Sequence, residues 1–489
     1  MNGGIMSVDI QEARSAHHAV EHPTTEQRVQ RGKDSRALAP RSSHAEFRPA
    51  DDRPDPVALL ESQAATRVPE LVPIRYGRML VSPFTFFRGA ALIMAADLAH
   101  TPCSGLRAQV CGDAHLSNFG LFASPERRLM FDVNDFDETL PGPWEWDLKR
   151  LAASVVIAAR DREFSESEAA EAALAVGTSY REEMARLAPL STMDVWYSHI
   201  DVAGVLSELT AAAGKSGSKA DKHMAERTAK LVAKARTRDS FQALSKLTTV
   251  ADGRLRILSD PPLLIPTEEL FPPHVSDALR ESFHQLVRGY RRSLQTDRRH
   301  LLKEFEFVQI ARKVVGVGSV GTRAWILLLV GKDNDDPLFL QAKEAEASVL
   351  EKYAGKSAYA NHGARVVAGQ HLMQATTDIF LGYEKFEGPD GVKRDFYLRQ
   401  LRDWKGSFEI EGSIPKGLTK YVSLCARALA RAHARSGDRV AIASYLGNGP
   451  SFDRALAEFA DIYADQNERD YRALQAAHVS GRISVEEGL

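Results

Sequence analysis

The sequence predicts an α+β protein with a β-rich lobe, a helical lobe and a large helical extension. Three observations lead there. Apolar residues recur at helical spacing through most of the chain, and between Phe307 and Leu401 the pattern changes to strand-like segments punctuated by glycines. No apolar run, including that from Ala324 to Val330, approaches the ~20 residues of a membrane span. A length of 489 residues suits about two to four domains at roughly 150 residues each.

Each segment follows from its composition. Residues 1–55 are rich in Arg, His, Glu, Ser and Pro without an apolar period, so they are expected to form a disordered tail that cannot offset its ordering entropy by burial. Residues 56–160 are assigned to the helical lobe. There Ser82-Pro83 starts a buried helix over Phe84 to Ala99, Leu106 to Val110 is a strand, and Leu140-Pro141-Gly142-Pro143 breaks the chain. A helix from Trp146 to Arg160 follows, with Asp147 placed to brace the loop before it. Residues 161–305 form the helical extension, opened by the capping box Ser165-Glu166-Ser167-Glu168. Residues 306–405 hold the strands: two between Phe307 and Gly331, one over Pro337 to Lys343 and one over Phe396 to Leu401. Residues 406–489 return to helix, with Leu424, Ala428, Leu429 and Ala432 as the apolar face of Tyr421 to Arg435.

Composition narrows the partners. A net charge of −2 with 26% charged residues and no block of one sign gives no mark of a nucleic-acid or membrane-surface protein. Cys103, Cys111 and Cys425 have no C-x-x-C spacing and leave an odd thiol, which fits a reducing compartment without disulfides or structural zinc. The polar start has no signal-peptide core, so the expected location is the cytoplasm.

The chemistry concentrates in two loops. Gly112-Asp113-Ala114-His115-Leu116-Ser117-Asn118 places an Asp five positions before an Asn, and Asp132-Val133-Asn134-Asp135-Phe136-Asp137 follows after a short strand. In phosphotransferases an Asp accepts the proton of the attacking hydroxyl, an Asn five positions on holds a metal, and an Asp beyond the next strand bridges metal to phosphates. Asp113, Asn118 and Asp135 match those offsets, with Asp137 as reserve for the metal; hard oxygen ligands on two turns suit Mg²⁺. Two Asx-turns bonding their own backbones are the bland alternative. His115 is expected to orient the loop through a backbone hydrogen bond rather than to bind metal.

Gly316, Gly318 and Gly321 lie between two strands, not between a strand and a helix, which fits a flap over phosphates and not a dinucleotide fingerprint. Lys343 ends the next strand, where a phosphate-pairing lysine belongs. Glu344, Glu346 and Glu351 are available to fix it, and Glu351 is preferred. Arg402-Asp403-Trp404-Lys405-Gly406 would line the adenine end. Surface salt bridging is the leading reading of Arg75, Arg78 and Arg88, with phosphate binding as the alternative. Lys219, Lys222, Arg227, Lys230 and Lys234 read as a solvated helix face; few aromatics interleave, which argues against a nucleic-acid platform.

Cys111-Gly112-Asp113-Ala114-His115-Leu116-Ser117-Asn118 with Asn134-Asp135-Phe136-Asp137-Glu138 resembles the motifs of the aminoglycoside and choline phosphotransferase branch of the kinase-like superfamily, Cys111 standing where that branch has His. With Trp144 to Arg150, Arg312 to Arg323 and Ala430 to Asp438, the chain from about residue 55 onward resembles the uncharacterised bacterial family called domain of unknown function twenty-two fifty-two. The resemblance implies a two-lobed protein-kinase-like fold using ATP and Mg²⁺, with Asp113 as base, Asn118 and Asp135 on the metal, the three glycines over the phosphates and Lys343 pairing them. The order departs: the catalytic loop precedes the glycine loop, as in a circular permutation. The helix preceding the catalytic loop is then either Phe84 to Ala99 or Tyr421 to Arg435. The expected reaction is phosphoryl transfer to a small-molecule hydroxyl, whose pocket residues 161–305 would shape. A silent ATP-binding scaffold, a nucleotidyl transferase and a metallophosphoesterase are the alternatives.

Overall fold

The strand-like segments assemble into one antiparallel sheet. In chain order the strands are β1 (Arg107–Val110), β2 (Phe119–Ala123), β3 (Leu129–Val133), β4 (Leu140–Pro143), β5 (Thr248–Ala251), β6 (Arg254–Ile257), β7 (Leu264–Pro266), β8 (Glu306–Lys313), β9 (Ala324–Val330), β10 (Pro337–Ala345), β11 (Gly382–Glu387) and β12 (Lys393–Gln400). Six of them run β11-β12-β10-β9-β8-β7, while β1–β4, β2–β3 and β5–β6 are two-stranded ribbons. The computed structural model describes residues 22–216, 218–237, 240–388, 390–401, 403–410 and 412–488. With helices forming the remainder, it is a mixed helix-and-strand protein, and no described helix is long and apolar enough to cross a membrane.

Strand β9 explains the sheet's placement. Its sequence, Ala324-Trp325-Ile326-Leu327-Leu328-Leu329-Val330, is apolar at every position, as a strand covered on both faces requires. Trp325, Leu327 and Leu329 pack with Leu279, Phe283 and Leu286 of helix Pro273–Tyr290. Ile326 and Leu328 meet Ala243, Leu247, Leu255 and Ile257 on the other side. Residues 240–305 thus serve the sheet, and the expected helical extension 161–305 contains three strands. The turn Asp252-Gly253, with φ of 52° and 73°, explains the β5–β6 ribbon, since that dipeptide favours tight hairpins.

A second core is helical. Helices Trp144–Asp161, Glu166–Leu187, Pro415–Ser436 and Ser451–Val479 share one large cluster with β1 to β4. The Ser165 capping box forms as its sequence predicts. The helix expected over Phe84 to Ala99 is divided at Ala90 into Pro83–Gly89 and Ala91–Leu98.

Residues 22–55 correct the expectation of a disordered tail; residues 1–21 lie outside those described. Thr24 and Gln27 form a capping box on helix Thr25–Leu38. This helix docks through polar groups: Arg36 donates to the carbonyl of Tyr445 at 3.0 Å and Ser444 to that of Val29 at 2.7 Å. His44 and Phe47 then enter the core. Such docking leaves no apolar period to read.

Candidate functional site

The helix Trp144–Asp161 is buried along nearly its whole length, and its charges point into the protein. Glu145 accepts the Ser104 N–H at 2.8 Å. Two residues later Asp147 accepts the N–H groups of Cys111 and Gly112 at 2.8 and 2.9 Å, bracing the loop as its position suggested. His433 Nε2 lies 3.2 Å from the same carboxylate, and Tyr180 Oη is 2.9 Å from His433 Nδ1. Gly112 has a φ of 82°, and a Cβ there would fall 2.5 Å from the Glu138 carbonyl oxygen, so the turn admits only glycine without a shift.

The loop that follows is closely tied. Asp113 accepts from Arg150, whose guanidinium also lies 4.4 Å over the Phe87 ring. Asn118 Nδ2 donates to the Asp113 carbonyl at 2.7 Å, and the Asn118 carbonyl accepts the Asn134 N–H at 2.8 Å, linking the loop to the acidic turn. Ser117 N–H donates to His115 Nδ1 at 3.2 Å, the backbone role expected of that histidine. Burial raises the Asp113 carboxyl, against the opposing pull of Arg150. Burial, with Arg88 and Arg150 nearby, holds the His115 imidazole well below its ordinary range, so it stays neutral.

In the acidic turn, Asp137 N–H donates to Asp135 at 3.1 Å. Asp137 itself meets Lys343 in a close ion pair and accepts from Tyr397 Oη at 2.8 Å. Burial works to raise Asp137, yet Lys343 and Tyr397 hold it low; for Lys343 the carboxylate outweighs burial and the amine is raised. Asp135 moves the other way, raised first by burial and then by Asp137. Glu138 is pushed up to about 7 by burial. Asp132 forms a buried pair with Arg431, a structural role away from the turn.

The preference for Glu351 as the partner of Lys343 is corrected: its carboxylate accepts the Ser348 N–H at 3.3 Å and lies 3.8 Å from His362. Lys343 stands opposite Tyr397 in the β10–β12 register, and that pairing aims it at Asp137. Glu344 pairs with Arg323 and Arg394. Arg365, which sequence reasoning missed, donates to the carbonyls of Asp137, Thr139 and Glu346 at 2.8 Å each and so ties the acidic turn to the end of β10.

One polar cavity of about 240 Å³ collects these parts. Asp113, His115, Asn118, Asp135, Asp137 and Glu138 line it, as do Gly316, Gly318 and Glu346. Gly321 is set back from the cavity lining, its Cα packed against the Arg67 side chain and its carbonyl accepting the Val68 N–H at 2.8 Å. Arg67, Arg75 and Arg88 line the cavity too, which corrects the surface reading of the latter two; Arg78 donates to the Gly316 carbonyl at 2.6 Å. Among the described residues, no three or more His, Cys, Asp or Glu side chains converge as a metal-binding group.

A larger cavity of about 610 Å³ lies apart from this chemistry. Val205, Leu209, Leu231, Phe408, Tyr421 and Leu424 line it, with Arg227, Lys230 and Lys234 at its edge. The helices Val202–Ser216 and Lys219–Arg236 therefore shape an apolar pocket, and no residue of 161–305 lines the polar one. The segment 403–406 pairs with β2, Leu121 N–H reaching the Gly406 carbonyl at 2.7 Å, and does not line the polar cavity. Arg402 and the side chain of Lys219 lie outside the described residues.

No curated protein and no solved structure matches the chain. A family profile does, over residues 67–477, a span that takes in the loop 111–118, the acidic turn and the glycine loop. The chain therefore belongs to DUF2252, a family described as uncharacterised protein conserved in bacteria.

Proposed function

We propose that the protein is a phosphotransferase that moves the γ-phosphoryl group of ATP to a hydroxyl of a small molecule, on a two-lobed kinase-like fold in circularly permuted order. The observation that carries this reading is the meeting of Asp113, Asn118, Asp135 and the glycine loop in one polar cavity, although some two hundred residues separate the loops. The helix Pro415–Ser436 supports the permutation. Its Tyr421 donates to the carbonyls of Leu116 and Phe119 at 2.8 and 3.2 Å, and Ser436 accepts the Gln109 N–H at 3.1 Å. It thus occupies the flank that the helix before a catalytic loop would hold.

The residues fit these roles. Asp113, raised by burial yet anchored by Arg150, takes the proton of the acceptor hydroxyl. Mg²⁺ keeps several waters and needs only one or two carboxylates with substrate phosphates, so Asp135 and Asn118 suffice and a three-carboxylate cage is unnecessary. When bound, the ion would neutralise charge developing on the phosphoryl oxygens. Asp137 would join it only by giving up Lys343, which then becomes free to face phosphate. The backbone of Gly316 to Ser319, which lines the cavity, would cover the phosphates.

The test is turnover with ATP, Mg²⁺ and a pool of small-molecule alcohols, read by product mass. Wild type should yield a phosphorylated product and Asp113→Asn none. An adenylylated product would mean nucleotidyl transfer, and undiminished phosphotransfer by Asp113→Asn would remove the assignment.

A further inference from the structure

Buried arginines in this molecule are held either by carboxylates or, as Arg365 is, by three backbone carbonyls at 2.8 Å each. Arg150 meets Asp113, Arg431 meets Asp132, and Arg53 meets both Asp97 and Asp470 at 2.6 Å. Arg67 and Arg75 differ. Arg75 is wholly buried and Arg67 is 9% exposed, yet among the described residues neither forms an ion pair. Arg75 donates to Gln63 Oε1 at 2.9 Å and the Gly89 carbonyl at 3.1 Å, and Arg67 to the Val320 carbonyl. Arg75 Nε and Nη1 and Arg67 Nε have no hydrogen-bond partner among the described residues. Both side chains line the polar cavity.

Burying a charge without a counter-ion is costly, and breaking up such charge is usually a matter of pairing it. The donors left over here are of the planar, multi-point kind that matches phosphoryl oxygens. Lys343, the expected phosphate partner, is already engaged by Asp137. We propose that Arg67 and Arg75 form a phosphoryl-binding subsite beneath the glycine loop. The naming of the anion as phosphoryl rests on the phosphotransfer reading; the existence of an anion subsite rests on the arginines alone. The subsite is coupled to the loop, because Val68 N–H holds the Gly321 carbonyl at 2.8 Å and a Cβ on Gly321 would sit 3.0 Å from Arg67 Cβ. Burial lowers both guanidinium groups from their ordinary value; Glu346, Glu138 and Asp137 oppose that at Arg67, whereas Arg67 adds to it at Arg75, so Arg75 carries the greater penalty for a bound anion to relieve.

The experiment uses the full chain with inorganic tripolyphosphate and no divalent metal, followed by thermal shift and calorimetry. Wild type should bind and be stabilised, while Arg67→Met and Arg75→Met each weaken binding by about tenfold or more and Arg67→Lys falls between. Without anion, Arg75→Met should melt at or above the wild-type temperature, whereas a purely structural arginine would give a lower one. Saturating ATP that displaces tripolyphosphate would identify the nucleotide's own phosphates as the occupant; tripolyphosphate binding that persists beside ATP would identify a phosphorylated acceptor. No binding by wild type, or equal affinity in wild type, Arg67→Met and Arg67→Lys, overturns the subsite, and the Arg67 variants decide the matter if Arg75→Met does not fold. Arginine-dependent binding without any phosphotransfer would keep the subsite and discard the reaction.

Discussion

The two loops that face each other across the polar cavity are held by different means. Residues 111–118 are fastened to the helical core by buried groups: Asp147 holds two backbone N–H groups, Arg150 holds Asp113, and Tyr421 holds two carbonyls. The glycine loop, by contrast, hangs from residues 67–78 through Val68, Arg67 and Arg78. The first loop is set before a ligand arrives. The second is tethered partly by the same cations that an anionic ligand would engage, so it is the part positioned to respond.

This contrast can be broken at either side. Asp147→Ala should have the largest effect, since it strands the Cys111 and Gly112 N–H groups and leaves His433 without its carboxylate; a loss of about 3–5 kcal/mol is expected in urea unfolding. Lys149, on the same helix, acts in the opposite sense. It is fully buried, its Nζ has no hydrogen-bond partner among the described residues and lies 4.7 Å over the Phe459 ring, and burial pulls its amine down to about 8. A lysine lowered in the folded state costs stability while it is charged in both states, and the cost fades as pH rises from about 8 to the unfolded value. Lys149→Met should therefore stabilise the protein at pH 7 by about 3 kcal/mol, a gain that shrinks toward pH 10.5 in unfolding curves taken across that range.

On the glycine-loop side the effects should be smaller and local. Gly321→Ala combines a φ of 89° with a 3.0 Å approach to Arg67, and about 1–2 kcal/mol of destabilisation should follow, with faster amide exchange confined to residues 314–323. Arg78→Ala removes a partly exposed hydrogen bond to Gly316; less than about 1 kcal/mol should be lost, with exchange of the loop again the sensitive readout. Equal loosening of residues 111–118 in these two variants would contradict the independence of the loops.

Much of the site was legible because its residues lie in short motifs at fixed offsets: Asp113, Asn118, Asp135 and the glycines Gly316 and Gly318 reach one cavity. What was not legible depends on contacts distant in sequence. The Lys343 partner was sought among nearby glutamates, whereas Asp137 lies 206 positions away and is presented by cross-strand register. Arg75 and Arg88 looked like surface residues because a single sequence does not reveal burial. The charges of Trp144-Glu145-Trp146-Asp147-Leu148-Lys149-Arg150 carried a usable signal, charged residues along a helix with apolar residues on every side. The Asp252-Gly253 turn was a second signal, and it marks where three short strands interrupt the mostly helical segment 161–305. Helix Thr25–Leu38 had none, as it docks through arginines, serines and Gly32.

The central claim is that the acidic turn and the glycine loop together hold nucleotide and metal. Its most direct measurement is the thermal shift of wild type, Asp113→Asn and Asp135→Ala with ATP, in the presence and absence of Mg²⁺. The account predicts a Mg²⁺-dependent rise in melting temperature for wild type and Asp113→Asn that Asp135→Ala loses. No shift of the wild type with ATP and Mg²⁺, or an undiminished one in Asp135→Ala, would contradict it.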